Sequence, residues 1–199
     1  MSYSREEFAM HMKNWNELLN NRKMPGWEEF PTIELYMDQV IILMNQYIKN
    51  FLSSDKEGTL SITPPMINNY VKLKAMPAPF KKKYSKIHIA YLIMISSLKQ
   101  ALSIPTIQKI LPIYEDEDKV KDLYELFCRN QMKAFAYITE KVCDVTDPIL
   151  EEANSNPERM YDLAIQIAVS SNVFKMLSDD VAEIKHIDDE PTEKEEETK

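Results

Sequence analysis

The sequence predicts an all-α fold, because helical periodicity is strong and the residues that tight strand connections need are scarce. Only two glycines occur in 199 residues, which leaves few positions for the positive φ angles of hairpins, phosphate loops and dinucleotide-binding turns. Hydrophobic residues make up 44% of the chain, which is enough for a substantial core. We therefore expect a helical protein with at most one short β-wing.

Two amphipathic helices are predicted in the first quarter of the chain. Residues 4–7 have the form of a capping box and precede an apolar stripe, which predicts a helix over residues 5–20. That stripe consists of Phe8, Met12, Trp15 and Leu19. After a loop with Pro25, Gly26 and Pro31, a longer stripe predicts a helix that has Thr32 as its cap and ends near Leu52.

A short helix with two different faces follows a polar connection at residues 53–61. Thr63 is the candidate cap, and Pro64 and Pro65 occupy the first turn, where a missing N–H group leaves no hydrogen bond unmade. Apolar side chains share one side of this helix, namely Met66, Ile67, Tyr70 and Val71. Asn68, Asn69 and Lys72 share the other side by their spacing.

The rest of the chain is predicted to be a buried helix, a short helix and two long helices. Residues 87–95 are apolar on nearly all sides, so this helix, capped by Ser85, should be central to the core. Ser103 is predicted to cap a short helix that ends at Pro112. A long helix then follows the acidic step at residues 115–118, and a second one follows Pro157. The acidic segment 187–199 is predicted to be disordered.

These patterns divide the chain into four parts. We expect an N-terminal helix and loop at residues 1–31, a helical DNA-binding domain at 32–112, a C-terminal helical domain at 113–186 and a tail at 187–199. The absence of a leader and of a long apolar run favours a soluble, cytoplasmic protein with no membrane partner. Cys128 and Cys143 fit packed free thiols in a reducing compartment.

No arrangement of residues typical of catalysis is visible. His11, His88 and His186 are scattered along the chain, and no nucleophile, base and acid are suitably spaced. We therefore expect no enzymatic activity, no cofactor and no metal site.

The distribution of charge, rather than the net charge of −8, indicates a partner. No Asp or Glu occurs between Glu57 and Glu115, while this window of 57 residues contains eight lysines and no arginine. The rest of the chain holds 16 basic and 32 acidic residues. Such segregation is expected of a phosphate-binding surface, although a lysine cluster alone is more often a solvated basic surface, so the order of elements around it has to be considered as well.

The order of elements in this window resembles the MerR-type winged helix-turn-helix DNA-binding domain. The stretch from Leu60 to Leu111 has a helix that carries Tyr70, a proline-bounded basic segment, the step Tyr84-Ser85, a helix rich in Ile and Leu, and the start Leu102-Ser103-Ile104. Its preceding helix is longer, and its wing lacks glycine. With IELYMDQV, MINNYVK and KKKYS, residues 25–150 also resemble a bacterial family of unknown function described as candidate transcription regulators.

The resemblance implies a recognition helix and a wing that bind double-stranded DNA. Asn68, Asn69 and Lys72 would then read base edges in the major groove. The lysines on and beside the wing would bind phosphates, namely Lys74, Lys81, Lys82, Lys83 and Lys86. Tyr70 and Tyr84 are candidates either for DNA contact or for the core.

Two further alternatives stay open from the sequence. The C-terminal helices could form a homodimer, whose paired readers would match two half-sites, or an intramolecular bundle. The lysine-rich face could instead make this winged helix a protein-interaction module, which binds an acidic partner protein or the chain's own acidic tail.

Overall fold

All regular secondary structure in the described part of the chain is helical, which confirms the all-α prediction for those residues. The computed structural model describes residues 10, 14, 23–51, 61–151 and 157–187. Their elements are a 3-10 turn at Trp27–Glu29 and the helices α1 (Met37–Phe51), α2 (Pro64–Lys72), α3 (Lys86–Leu98), α4 (Ile104–Ile110), α5 (Glu117–Glu151) and α6 (Pro157–Ile187). The predicted connection at 53–61, most of the helix at 5–20 and most of the tail lie outside the described residues.

Helix α1 begins at Met37, so the prediction that Thr32 caps it is wrong. The reason is a long-range contact: the Leu35 N–H donates to the Tyr84 carbonyl at 2.9 Å, and the Tyr84 N–H donates back at 2.8 Å. This antiparallel bridge holds Leu35 in extended backbone, which cannot continue a helix. The Tyr36 N–H then donates to Gln39 Oε1 at 2.9 Å, and the helix follows.

The starts of the next three helices agree with their sequence signals. Pro64 opens α2 as predicted, although Thr63 accepts helix N–H groups through its carbonyl rather than its side chain. The Ser103 hydroxyl accepts the Thr106 N–H at 3.2 Å and caps α4. At Ser85, the N–H donates to Nδ1 of His88 at 3.0 Å, which gives α3 a capping box with histidine in the third position.

Helix α3 is the centre of the core, as its apolar sequence predicted. Its nine residues from His88 to Ser96 are buried, and it packs against α1 and α5. The core cluster extends from Trp27 to Tyr124, so it includes residues on both sides of the predicted boundaries at 31 and 112. The Tyr91 hydroxyl joins α3 to the connection between α4 and α5, because it donates to the Pro112 carbonyl and accepts the Tyr114 N–H.

The two long C-terminal helices pack on different neighbours. The first turns of α5 lie against α3 and the 3-10 turn, whereas α6 packs on α4. Thr106 Oγ1 donates to Asp179 Oδ1 at 3.0 Å, and Lys109 pairs with Glu183. Between the end of α3, α5 and α6 lies a groove of about 810 Å³. No helix within the described ranges combines the length and the apolar character that a membrane span requires.

Candidate nucleic-acid interface

The two faces of α2 are separated as the sequence predicted. Ile67 and Tyr70 are buried in the core, while Asn68, Asn69 and Lys72 are exposed on the opposite side. Because Ile67 and Tyr70 belong to the core cluster and α2 packs against α1, the three polar side chains are held on a rigid surface. This face can donate and accept hydrogen bonds without first being uncovered.

The end of α2 forms a Schellman motif in which a lysine occupies the usual glycine position. The Ala75 N–H donates to the Tyr70 carbonyl at 2.9 Å, and the Lys74 N–H donates to the Val71 carbonyl at 3.0 Å. Lys74 therefore has a φ of 55°. Ala75 and Met76 are buried immediately afterwards, which anchors the turn and leaves the Lys74 side chain exposed.

The predicted wing is a two-residue hairpin. The Lys83 N–H donates to the Phe80 carbonyl at 2.9 Å, and these residues form an antiparallel bridge. The tip residues Lys81 and Lys82 have φ angles of 48° and 63°, the signs that a type I′ turn requires at both positions. Tyr84 then pairs with Leu35, so the hairpin is held against the segment that precedes α1.

Within the described ranges, every non-glycine residue with a positive φ angle is a lysine. These are Lys74, Lys81 and Lys82, and each is exposed. Left-handed backbone costs an L-residue with a full side chain about 1 kcal/mol or more, and glycine or asparagine would relieve most of it. Strained backbone of this kind is concentrated at functional positions.

Two of the predicted phosphate-binding lysines have acidic neighbours. Lys83 Nζ lies 3.8 Å from Glu34 Oε2, with both side chains about half exposed. Lys86 Nζ lies 3.9 Å from Glu28 Oε2, and its side chain is only 14% exposed. Lys86 Nζ also lies 5.8 Å from the centre of the Trp27 ring. Lys83 remains accessible, whereas Lys86 is the least accessible of the five predicted lysines.

Tyr70 and Tyr84 occupy the core, which is the second of the two roles considered for them. Both are nearly fully buried, and burial raises the pKa of each phenol. Each buried ring anchors the element that carries it, α2 for Tyr70 and the hairpin for Tyr84, to the core. Neither side chain is therefore part of the exposed candidate interface.

His88 supports the hairpin from within the core. Its ring meets the Tyr84 ring edge-on at 5.4 Å, and its Nδ1 accepts the Ser85 N–H, so the proton of the neutral ring belongs on Nε2. Nε2 is buried and makes no hydrogen bond of good geometry to a described residue. Burial lowers the pKa of His88, although the Ala78 carbonyl and Glu34 partly oppose this effect.

Sequence reasoning missed two features of this surface. Phe80 is 68% exposed at the base of the hairpin, with Lys81 Nζ 5.1 Å from the centre of its ring. Glu28 and Glu34 approach the basic segment from outside the acid-free window. Glu34 is brought there by the bridge between its neighbour Leu35 and Tyr84, which are 49 residues apart, and Glu28 also pairs with Lys121 of α5. No local sequence pattern could have indicated either contact.

The described residues contain no cluster of three or more His, Cys, Asp or Glu side chains that could hold a metal ion. Exposed amides and lysines can bind a polyanion through hydrogen bonds and charge.

Comparison with known proteins identifies a family but not an activity. Residues 25–127 match the model of a domain of unknown function, DUF1836. Because the match covers more than half of the chain, the protein belongs to this family, and the expectation of a family of unknown function over this region is confirmed. No curated protein and no solved structure is significantly similar to the chain.

Proposed function

We propose that this DUF1836 protein is a sequence-specific, double-stranded DNA-binding transcription regulator of the MerR-like winged helix-turn-helix type. The observation that carries the proposal is the placement of Lys74, Lys81 and Lys82 in left-handed turns. A turn selected for stability alone would favour glycine or asparagine there. Retention of charge at three strained positions is expected when the charge itself has a role, and phosphate is the ligand that an acid-free lysine surface suits.

The order of elements supports the assignment of roles. Helix α1, helix α2, a hairpin and the buried helix α3 follow one another as in a helix-turn-helix unit with a wing. Asn68 and Asn69 on α2 would each pair with an adenine through N6 and N7, and Lys72 would contact guanine or a phosphate. Lys81 and Lys82 at the hairpin tip would bind phosphates, with Lys74 and Lys83 beside them, and Phe80 would contact a sugar edge.

Charge reversal tests the phosphate role. In a fluorescence-polarisation titration with genomic fragments, Lys81→Glu with Lys82→Glu should weaken binding for all sequences. It should also reduce the slope of log K against log salt by about 2, because each phosphate contact contributes about 0.9. The matched control is Lys119→Glu with Lys133→Glu, which makes the same charge change at exposed positions of α5.

Base reading is tested separately by selection from random DNA. The Asn68→Ala and Asn69→Ala variants should lose preference at one or two base pairs, by about 1–3 kcal/mol each, with little change in the salt slope. If the lysine variants and their controls bind equally, the phosphate role is wrong. If the full chain and a chain lacking residues 187–199 both fail to bind DNA at low salt, the protein-interaction alternative is favoured.

We also propose that two copies associate through the C-terminal helices, so that their two DNA-binding units contact two half-sites. The support is an unpartnered apolar row on the outer side of α6, at four- and three-residue steps. It consists of Ile165, Val169, Val173 and Met176, each more than half exposed. Sedimentation that shows a monomer at the concentrations used for DNA binding would contradict this part of the proposal.

A further inference from the structure

We propose that residues 4–20 of this chain dock as an amphipathic helix in the groove between α5 and α6. This inference does not depend on DNA binding. It concerns how the C-terminal helices are covered and how they are joined to the rest of the molecule.

The groove presents apolar walls to solvent. Leu98 and Leu102 line it from the end of α3, Ile138 from α5, and Ile167 and Phe174 from α6. Ile138 is 39% exposed and Phe174 is 54% exposed. A groove of about 810 Å³ with side chains of this kind on facing walls is a surface that a soluble protein normally covers.

One stripe of α5 leads from the covered core directly into this groove. Tyr124, Gln131 and Ile138 are spaced by seven residues, so they lie on nearly the same side of the helix. Tyr124 is fully buried, and its hydroxyl donates to the Pro25 carbonyl at 2.6 Å. Gln131 is partly exposed, and Ile138 is exposed. The segment around Pro25 therefore covers this stripe of α5 only at Tyr124, and the stripe is exposed where the groove begins.

The uncovered part of the stripe lies next to the point where the N-terminal segment joins the core. The chain that precedes Lys23 starts beside Tyr124, at the covered end. From Tyr124 to Ile138 is 14 residues of helix, or about 21 Å, and a helix over residues 4–20 is about 25 Å long. A segment that runs antiparallel to α5 from this end therefore has the length to fill the groove.

The sequence of the segment fits an apolar groove. Phe8, Met12, Trp15 and Leu19 form one stripe at four- and three-residue steps. Met10 and Asn14 are both helical and exposed. On a helix of 3.6 residues per turn, both lie on the side opposite that stripe, which is the side that docking leaves in solvent.

Tryptophan fluorescence tests the proposal in the full chain. The only tryptophans are Trp15 and the buried Trp27, so the difference between the emission of the wild type and that of Trp15→Phe reports Trp15 alone. We expect the emission of Trp15 to be blue-shifted relative to a solvent-exposed tryptophan, and its quenching by acrylamide to be several-fold weaker.

Variants of the groove walls then test the place of docking. Phe174→Glu on α6 and Ile138→Glu on α5, each made singly, should shift Trp15 emission to the red and increase its quenching several-fold. The matched control is Tyr161→Glu, which places the same charge at a similarly exposed aromatic position of α6 that belongs neither to the groove lining nor to the apolar row of Ile165. Circular dichroism monitors folding, and either wall variant suffices if the other one unfolds.

Three outcomes would overturn the proposal. Trp15 could be solvent-exposed in the wild type, or it could be buried and insensitive to both wall variants. It could also be buried only at concentrations at which sedimentation shows a dimer, in which case a second copy fills the groove. Burial in the monomer that is released by the wall variants and not by Tyr161→Glu would support docking in cis.

Discussion

The hydroxyl of Tyr124 donates a buried hydrogen bond of 2.6 Å to the carbonyl of Pro25, across 99 residues of chain. The Tyr124 ring also packs against Phe30 at 5.1 Å and Trp27 at 6.3 Å between ring centres. This contact joins the first turns of α5 to the segment before α1. Burial raises the pKa of the Tyr124 phenol far above its ordinary value, so the hydroxyl remains a donor at all physiological pH values.

Tyr124→Phe should lower the free energy of unfolding by about 1–3 kcal/mol, because the Pro25 carbonyl would be buried without a partner while the ring contacts remain. Urea denaturation measures the change. Tyr137→Phe, at an exposed position of α5, is the matched control and should have little effect. Equal stability of the two variants would show that the hydrogen bond contributes nothing.

Lys81→Asn combined with Lys82→Gly should stabilise the fold by about 1–2 kcal/mol and weaken DNA binding, because it replaces strained left-handed lysines with the preferred residues of a type I′ turn. Thermal unfolding measures the first effect, and polarisation titration measures the second. A variant that is less stable than the wild type would contradict the assignment of strain to this turn.

Substitution by glycine should change the stability of the fold in opposite directions at two neighbouring lysines. Lys74→Gly should raise stability by about 1 kcal/mol, because residue 74 is the left-handed end of the Schellman motif. Lys72→Gly should lower stability by a similar amount, about 1 kcal/mol, since it weakens the last turn of α2. Chemical denaturation compares the two, and the same sign for both changes would contradict the observed backbone.

Stability should decrease as the pH falls below 6.5, the ordinary pKa of histidine. Burial lowers the pKa of His88 in the folded protein, so the unfolded chain binds the proton more readily in this window, and acidification favours unfolding. His88→Gln retains an acceptor in the third position of the capping box and should flatten this part of the pH profile.

Urea midpoints between pH 5 and pH 7 compare the wild type with His88→Gln. This window lies above the ordinary pKa of glutamate, about 4.3, so carboxylates contribute little. The role assigned to His88 would be wrong if both proteins showed the same pH dependence.

Thr106→Val should loosen α6 without affecting the core. It removes the hydroxyl that donates to Asp179, one of the polar contacts that join α4 to α6, and keeps the side-chain shape. Hydrogen exchange should accelerate in residues 175–184 and stay unchanged in α3. The control Ser178→Ala loses a hydrogen bond within α6 alone; equal acceleration in both would contradict an anchoring role.

Features that depend on neighbours in the chain were predictable. Pro64 at a first turn, Ser103 as a side-chain cap and the two faces of α2 follow from short-range geometry and from periodicity. The apolar run at residues 87–95 likewise identified the central helix, because a helix without a polar face has to be buried. The all-helical class and the exposure of Asn68, Asn69 and Lys72 were therefore available from the sequence.

The features that only the tertiary structure decided depend on contacts between residues far apart in the chain. Leu35 shortens α1 because Tyr84 pairs with it, and the same pairing brings Glu34 to Lys83. Tyr70 and Tyr84 are amphipathic, so only the packing of α2 and the hairpin could place them in the core. Lys74, Lys81 and Lys82 carry no local signal for left-handed backbone, since lysine disfavours it. The sequence by itself determined the helical class and the acid-free window, whereas long-range contacts decided where α1 begins and which lysines of the window remain accessible to a ligand.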